Sequence, residues 1–153
     1  MKKENIAILT LQEMHLDETL TSEIKELFRK RLEIHNSNNE HSPRTMAGVT
    51  FMINKDLINI HHIKTCMLIL GHTLSLRIKW YENKETKLIN IYTPNNRTNH
   101  QTFWSKLDAQ RTRHNVPKLD FLLGDFNLTE EAIDRAPPKL DNTNAIEALR
   151  NLK

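Results

Sequence analysis

The stretch Leu119-Asp120-Phe121-Leu122-Leu123-Gly124-Asp125-Phe126-Asn127 decides the fold. Its apolar residues from Leu119 to Leu123 predict a β-strand, and Pro117 lies just before it, where a proline is tolerated. Gly124 is one of only three glycines in the chain, and we expect it to open the turn that presents Asp125 and Asn127. Because open α/β sheets carry their ligand groups at the carboxyl ends of strands, this strand end predicts a functional site.

Two other predicted strands end in the same way. Ile6–Leu11 is an almost continuous apolar run that leads into Gln12-Glu13, and Lys87–Tyr92 is followed by Thr93-Pro94-Asn95. Carboxylates that converge at one sheet edge would bind a hard cation such as Mg²⁺, which takes few carboxylates besides water and phosphate oxygens. A metal held in this way polarises a phosphoryl oxygen.

The remaining pattern predicts a mixed α/β chain. Asp17 to about His35 reads as a loop and then an amphipathic helix, and Leu74–Tyr81 and Lys87–Tyr92 read as a hairpin with an Asn83-Lys84 turn. Thr129-Glu130-Glu131 predicts a helix start or an acidic turn. Further strands are expected at Gly48–Ile53 and Cys66–Leu70, helices at His100–His114 and Ala145–Leu152, and loops at His35–Glu40 and Asn95–Asn99.

Length and composition favour one globular domain without a membrane span. The chain has 153 residues, 38% of them hydrophobic and 27% charged, which is too apolar for a disordered protein. Its densest apolar run, Cys66–Leu70, is far shorter than the roughly 20 residues that cross a bilayer, and no secretory signal is evident. A single cysteine fits a reducing compartment. We therefore expect an intracellular protein, nuclear or cytoplasmic, with no membrane partner.

The charge is unevenly distributed along the chain. The formal net charge is +3, but residues 41–120 alone carry a balance of +7, and the segments on either side carry −2 each. A polyanion-binding surface would give this pattern, and so would a set of solvated faces with no partner. A glycine-rich phosphate loop is excluded because no two glycines lie close together.

Taken in order, the three motifs resemble the endonuclease/exonuclease/phosphatase superfamily, which has the DNase I-like fold. They are Leu11-Gln12-Glu13, Ile91-Tyr92-Thr93-Pro94-Asn95 and Gly124-Asp125-Phe126-Asn127. The sequence is most similar to endonuclease domains of non-LTR retrotransposons and related fungal sequences. Leu11-Gln12-Glu13-Met14-His15-Leu16, Phe103-Trp104 and Ile133-Asp134-Arg135-Ala136-Pro137 fit that branch. The resemblance covers nearly all 153 residues.

The resemblance implies a role for each matching residue. Glu13 is the expected ligand of Mg²⁺ or Mn²⁺, and Tyr92 is expected to hydrogen-bond near the scissile phosphate. Asp125 would orient or deprotonate the attacking water, and Asn127 would contact the phosphate as its charge develops. In-line attack on a phosphodiester needs such groups.

The same resemblance implies a nucleic-acid partner. DNA is the expected substrate, with RNA as a second choice. Asn95 is expected in the loop that touches the backbone, and Arg97 is a candidate phosphate contact. The basic residues of the 41–120 segment would supply further phosphate contacts.

The sequence also departs from the family pattern. The family's first strand, with its asparagine, has no counterpart before Ile6, and no Asp-His pair or histidine follows His114. We therefore expect residues 1–153 to form a partial domain, a truncated DNase I-like two-sheet sandwich with flanking helices and exposed edges. Its expected activity is metal-dependent phosphodiester cleavage of DNA, weak or absent. The alternatives are a non-catalytic nucleic-acid-binding remnant of a retrotransposon endonuclease and, less in keeping with the retrotransposon-like details, a hydrolase of phosphorylated small molecules or lipids.

Overall fold

The computed structural model describes the chain except residues 2–3, 40–46, 81, 83, 117–118, 135, 139 and 153. Within that part the elements are a strand and a helix, then five consecutive strands, then a helix, a strand and a final helix. They are β1 (Ile8–Gln12), α1 (Glu18–Phe28), β2 (Leu32–Ser37), β3 (Val49–Asn54), β4 (Lys64–Ile69), β5 (Thr73–Lys79), β6 (Glu85–Tyr92), α2 (His100–Arg113), β7 (Phe121–Asp125) and α3 (Thr143–Leu152).

The strands form two sheets. The first sheet has the order β1-β3-β2 with antiparallel pairs, and the second has the order β4-β5-β6-β7. In the second sheet β4, β5 and β6 are antiparallel, whereas β6 and β7 run parallel, with Ile91 opposite Gly124 and Tyr92 opposite Asp125. The carboxyl ends of β6 and β7 therefore lie at the same end of the second sheet.

The two sheets pack face to face around an apolar core. Alternate residues of each strand point into it, as the two-residue period of a strand requires. The buried members from the central strands are Val49, Phe51 and Ile53 of β3, Leu74, Leu76 and Ile78 of β5, and Leu88 and Tyr92 of β6. The alternation of Leu74, Leu76 and Ile78 is the pattern that predicts this strand.

Helices cover the outer faces of the sandwich. α2 and α3 pack on the second sheet through Phe103, Trp104, Leu107 and Leu149, which meet Ile89 and Ile91 of β6. α1 lies against the first sheet beside β2. Asp17 begins α1, since its side chain accepts a hydrogen bond from the amide of Leu20 at 2.8 Å. The expected two-sheet sandwich with flanking helices is confirmed.

Several local predictions differ from the structure. The helix from Asp17 ends at Phe28 instead of reaching His35, and Leu32–Ser37 is a strand paired to β3, so the first part of the expected loop His35–Glu40 is strand. Leu32 satisfies the helical spacing from Phe28, but Leu32, Glu33 and Ile34 also alternate, and pairing to β3 decides between the two patterns. At Thr129-Glu130-Glu131 the structure has the acidic turn and not the helix start, since a bend leads into one 3₁₀ turn at Ala132–Asp134. Gly124 lies inside β7 rather than in the turn after it. Half of the predicted hairpin turn, Asn83, lies outside the described residues, as do Pro117 and Arg135.

β1 is an edge strand of the first sheet and β7 is an edge strand of the second, and the two edges lie on the same side of the sandwich. β1 pairs with β3 and β7 pairs with β6, and an apolar cleft of about 690 Å³ opens between them. Trp80 and Phe121 line it and are 48% and 53% exposed. Trp80 lies one residue beyond the end of β5. In the described part of the chain, no helix has the length and apolarity that a bilayer crossing requires.

Candidate active site

Glu13 lies just beyond the last paired residue of β1. The pairing with β3 ends at Gln12, opposite Val49, and the backbone of Glu13 then takes a left-handed conformation with φ of 54°. Such a conformation is uncommon for a residue with a Cβ and bends the chain sharply out of the strand. The exposed carboxylate of Glu13 accepts a short hydrogen bond from the hydroxyl of Tyr92.

Tyr92 is the last residue of β6 and crosses the gap between the two sheets. Its side chain is 6% exposed, and the hydroxyl also lies 3.3 Å from Oδ1 of Asn95. One hydroxyl carries one proton, and the charged carboxylate of Glu13 is the stronger acceptor. His72 stacks on the ring at 5.9 Å between centroids, and its Nδ1 donates to the backbone carbonyl of Tyr92 at 2.7 Å.

The hydroxyl of Tyr92 remains protonated over the ordinary pH range. Burial is the largest cause that raises its pKa, and the hydrogen bond and negative charge of Glu13 raise it further. The charge of Asp125 acts in the same direction, while the hydrogen bond to Asn95 opposes it, and the pKa of Tyr92 is raised to about 12. Tyr92 is therefore a neutral hydrogen-bond donor at the site.

Asn127 links the ends of β6 and β7. Its backbone has a φ of 47°, and its Nδ2 donates to the carbonyl oxygen of Thr93 at 2.9 Å and to Oδ1 of Asn95 at 3.0 Å. Its amide nitrogen donates to Oδ1 of Asp125 at 3.0 Å. Both side-chain hydrogens of Asn127 are thus donated to protein acceptors, so a contact with a phosphate requires one of these acceptors to be replaced.

Asp125 is presented at the edge by the close approach of β7 to β6. The two strands pair in parallel up to Tyr92 and Asp125, and the carbonyl oxygen of Asp125 accepts from the amide of Thr93 at 2.9 Å. The carboxylate of Asp125 is exposed, with only one oxygen engaged by Asn127. Five residues singled out from the sequence are thereby brought together in one series of contacts, namely Glu13, Tyr92, Asn95, Asn127 and Asp125. Tyr92 is hydrogen-bonded to Glu13, and Asn127 is hydrogen-bonded to Asn95 and Asp125, while the Tyr92 hydroxyl lies 3.3 Å from Oδ1 of Asn95.

Arg97, the sixth candidate, lies outside that series. It belongs to a short 3₁₀ turn, Arg97–Asn99, and its side chain is 49% exposed. Its Nη1 is 3.4 Å from Oδ1 of Asp141, a buried carboxylate that also accepts from the amide and hydroxyl of Thr129. Arg97 therefore ties the loop after β6 to the segment before α3, and its remaining exposed surface faces solvent.

Part of the basic excess lies far from these residues. Lys64, Arg77 and Lys87 stand opposite one another across β4, β5 and β6. Lys87 precedes Tyr92 by five residues in the same strand, a distance of roughly 17 Å at the usual rise of a strand. Arg77 and Lys87 are 3.9 and 3.6 Å from Glu85. This row is at least partly neutralised locally and does not border the site.

The donor set fits a hard divalent cation. The hydroxyl of Tyr92 donates to Oε1 of Glu13. Oε2 of Glu13 has no hydrogen bond to any residue that the structure describes. Mg²⁺ keeps several waters and binds through one or two carboxylates plus substrate phosphates. Across the described residues, no three His, Cys, Asp or Glu side chains gather as a self-sufficient metal site. Glu13 alone would therefore hold a cation whose other ligands are water and phosphate.

Sequence reasoning missed two buried polar residues that support this edge. Asn90, in the apolar part of β6, is 0% exposed, and its amide bonds to the first sheet next to Glu13. His100 is 1% exposed, and its Nε2 donates to the carbonyl oxygen of Pro94 at 2.8 Å, which fixes the loop carrying Asn95. One sequence feature could have pointed to Asn90: it is an amide between Ile89 and Ile91, in a strand whose other central residues are apolar.

Comparison with solved structures identifies the fold. The endonuclease domain of TRAS1, a telomere-specific non-LTR retrotransposon, superposes with a TM-score of 0.60 at 13% identity, over 99% of this chain and 60% of that chain. The human Nocturnin catalytic domain with bound sulfate gives 0.54 at 14% identity, over 82% and 53%. D. rerio TDP2 complexed with single-strand DNA product gives 0.52 at 10% identity, over 84% and 50%.

The chain therefore shares with these structures the DNase I-like fold that the motifs indicated. It spans between half and three fifths of the length of these three structures. No protein-family model and no curated protein sequence matches it. At identities of 10–14%, these superpositions show a shared fold, and a shared fold does not fix the function.

Proposed function

We propose that this DNase I-like chain is a partial endonuclease domain whose site cleaves phosphodiester bonds of DNA with the help of Mg²⁺ or Mn²⁺. The observation that carries the proposal is the series of contacting polar residues at one edge of the sandwich, from Glu13 through Tyr92, Asn95 and Asn127 to Asp125. It brings a candidate metal ligand, a neutral donor and a candidate base together from the ends of three strands.

Asp125 would orient the attacking water and take its proton. The amide of Asn127 holds one carboxylate oxygen at 3.0 Å, and the exposure of Asp125 leaves the rest of the group open to a water molecule. A carboxylate held in this way can accept a proton from a water molecule within hydrogen-bond reach. Hydrolysis then breaks the bond between phosphorus and the leaving oxygen as the water oxygen bonds to phosphorus.

Tyr92 and Asn127 would act as neutral donors to a bound phosphate, which would have to replace Glu13 as the acceptor of Tyr92 and one of the two acceptors of Asn127. A phenol whose pKa is raised to about 12 keeps its proton and adds no negative charge next to a phosphodiester. Donors already in place when charge develops on the phosphoryl oxygens stabilise the transition state more than mobile water does. Glu13 would hold the cation, which when bound supplies Lewis-acid polarisation of the phosphoryl oxygen.

The structural neighbours support a nucleic-acid substrate. One is an endonuclease domain of a retrotransposon, and another is a TDP2 complex with a single-strand DNA product. DNA is therefore the proposed partner, with RNA as the second polymer to test. Catalysis by these 153 residues is expected to be weak, because no described histidine hydrogen-bonds to a side chain of the five-residue series.

That same observation favours one second candidate function. A site that holds phosphate and cation but lacks an imidazole general acid would bind nucleic acid without cleaving it efficiently. In this case the chain is a non-catalytic nucleic-acid-binding module that uses the same edge.

A plasmid-nicking assay tests the proposal. Supercoiled DNA is incubated with the purified chain and Mg²⁺, in parallel with Glu13→Gln, Asp125→Asn and, as a control, Glu26→Gln on α1. We expect the two site variants to lose at least about 100-fold in nicking rate, as the loss of a transition-state group does, and the control to match the parent. Nicking that survives in both site variants, or is absent from a parent chain that is folded by circular dichroism, contradicts the enzyme proposal.

Filter binding at several salt concentrations then separates the two functions. A chain that does not nick but binds DNA with a steep salt slope is the binding module, because neutralised phosphates release counterions. A chain that neither nicks nor binds supports neither function.

A further inference from the structure

Asn90 is a buried amide in the space between the two sheets. It lies in β6 two residues before Tyr92, so the side chains of both residues face the first sheet. Its accessible surface is 0%, and an amide in such a place must satisfy its hydrogen bonds within the protein.

The side chain of Asn90 makes three hydrogen bonds, and all three reach across to the first sheet. Nδ2 donates to the carbonyl oxygens of Leu11 and Thr50, each at 3.0 Å, and Oδ1 accepts from Nε2 of Gln12 at 2.6 Å. Leu11 and Thr50 are themselves opposite each other in the pairing of β1 and β3. One side chain of β6 therefore joins both of these strands at a single point.

That point lies immediately before Glu13. Two of the three partners, Leu11 and Gln12, are the last residues of β1, and the paired part of the strand ends at Gln12. Beyond it, the left-handed backbone of Glu13 leaves the ladder. Since no strand pairing fixes Glu13, the placement of its carboxylate depends on how firmly the preceding residues are held.

β6 thus contacts the end of β1 at two successive positions. Asn90 holds Gln12 by its amide, and Tyr92 meets the carboxylate of Glu13 by its hydroxyl. We propose that Asn90 is a positioning residue, which fixes the end of β1 against β6 and thereby places the Glu13 carboxylate for cation binding. Its role in cation binding rests on the proposed function, whereas its hold on the end of β1 does not.

The physical cost of losing this amide is specific to the site. An apolar replacement removes one hydrogen bond each from the carbonyls of Leu11 and Thr50 and from the amide of Gln12, and these bonds are replaced only if water enters or β1 moves away. Either event displaces the segment that carries Glu13. Groups that orient a metal ligand in this indirect way typically contribute about 10–100-fold to metal affinity.

The test compares two variants at this contact with a matched control. Asn90→Leu removes all three hydrogen bonds, Gln12→Leu removes only the one nearest Glu13, and Ser75→Ala removes a buried hydrogen bond from Ser75 to the carbonyl of Cys66, elsewhere in the second sheet. Mn²⁺ alone is titrated into each protein and followed by electron paramagnetic resonance. Amide hydrogen exchange is measured without metal.

We expect Asn90→Leu and Gln12→Leu to weaken Mn²⁺ binding by about tenfold or more and to speed exchange at residues 11–13, 49 and 50. Ser75→Ala should change neither the Mn²⁺ affinity nor the exchange rates of these residues, although it loses some stability. Unchanged Mn²⁺ affinity and unchanged exchange in Asn90→Leu would overturn the inference. If that variant does not fold, the same two measurements on Gln12→Leu decide it.

The proposed function can fail independently. A parent chain that binds no Mn²⁺ contradicts the metal-dependent activity, and the hydrogen-exchange comparison still decides whether Asn90 holds the end of β1.

Discussion

Gly124 lies directly opposite Ile91 in the parallel pairing of β6 and β7, with its backbone at a φ of 128°. A Cβ at position 124 would overlap the carbonyl oxygen of Ile91 and stand 2.8 Å from its nitrogen. The absence of a side chain therefore allows β7 to approach β6 closely, and this approach brings Asp125 beside Tyr92.

Gly124→Ala is expected to be strongly destabilising. The substitution combines an unfavourable backbone conformation with a clash against backbone atoms that cannot rotate away, which together cost about 3 kcal/mol or more. Urea denaturation followed by circular dichroism measures the loss.

Gly48→Ala is the matched control for this loss. Gly48 has a similar φ of 114°, but its added Cβ would meet its nearest atom, the nitrogen of His15, at 3.4 Å. We expect Gly124→Ala to lose clearly more stability than Gly48→Ala. Equal losses would show that strand separation is not what selects glycine at 124.

Tyr92 provides a pH-dependent prediction. A tyrosine ordinarily ionises near pH 10, whereas the pKa of Tyr92 is raised to about 12, chiefly by burial and then by Glu13. Because the folded pKa is the higher one, the neutral phenol contributes stability that is fully present below about pH 10 and is lost as the pH rises toward 12.

Absorbance at 295 nm checks this directly, because Tyr81 and Tyr92 are the only tyrosines in the chain. In a Tyr81→Phe background, we expect almost no tyrosinate at pH 10 while circular dichroism still reports the fold. Replacing Glu13 by Gln removes its charge and should lower the midpoint. Half-ionisation near pH 10 in a folded protein would contradict the arrangement.

The strands that carry the site could be predicted because their sequences alternate or run apolar and then end in polar motifs. β5, β6 and β7 follow from this pattern, as do α2 and α3. β2 could not, since Leu32 and Ile34 fit both a helix and an edge strand, and only the pairing to β3 selects the strand. Local sequence does not contain that long-range contact.

The candidate site was predictable as a set of residues but not as a connected structure. The motifs named Glu13, Tyr92, Asn95, Asp125 and Asn127, and the fold brings all five together. The motifs could not show that Asn90 ties the two sheets together or that Asp141 is buried against Thr129 and Arg97. These contacts join residues up to 79 positions apart in sequence, and isolated polar residues carry no periodic signal.

Arg97 is expected to matter for DNA binding as well as for the fold. Its side chain is half-exposed, but its partner Asp141 is buried, so the loss of the arginine also leaves that carboxylate without this cation and costs stability. If it also contacts a phosphate, Arg97→Ala should weaken DNA binding and reduce the slope of log affinity against log salt by about one. Filter binding at several salt concentrations measures both.

Arg29→Ala is the control for Arg97→Ala. Arg29 is exposed at the end of α1 and pairs with the exposed Glu26 at 3.2 Å, so its loss removes one positive charge and one surface ion pair from another face. An equal salt slope in Arg97→Ala, Arg29→Ala and the parent would show that Arg97 does not contact DNA phosphates.

Asn127→Asp should disrupt the link between the ends of β6 and β7. The aspartate accepts the same left-handed backbone, but its carboxylate would face the carbonyl oxygen of Thr93 and Oδ1 of Asn95 with no hydrogen to donate. We expect a loss of about 2 kcal/mol at pH 7 by urea denaturation. These acceptors raise the pKa of the new carboxyl, so the loss should shrink as the pH falls and the group is protonated.

Asn5→Asp makes the same change at another left-handed, exposed asparagine and should cost little. A loss at position 127 no larger than that at position 5, or one that does not change with pH, would mean that the two hydrogen bonds of Asn127 do not hold this edge together.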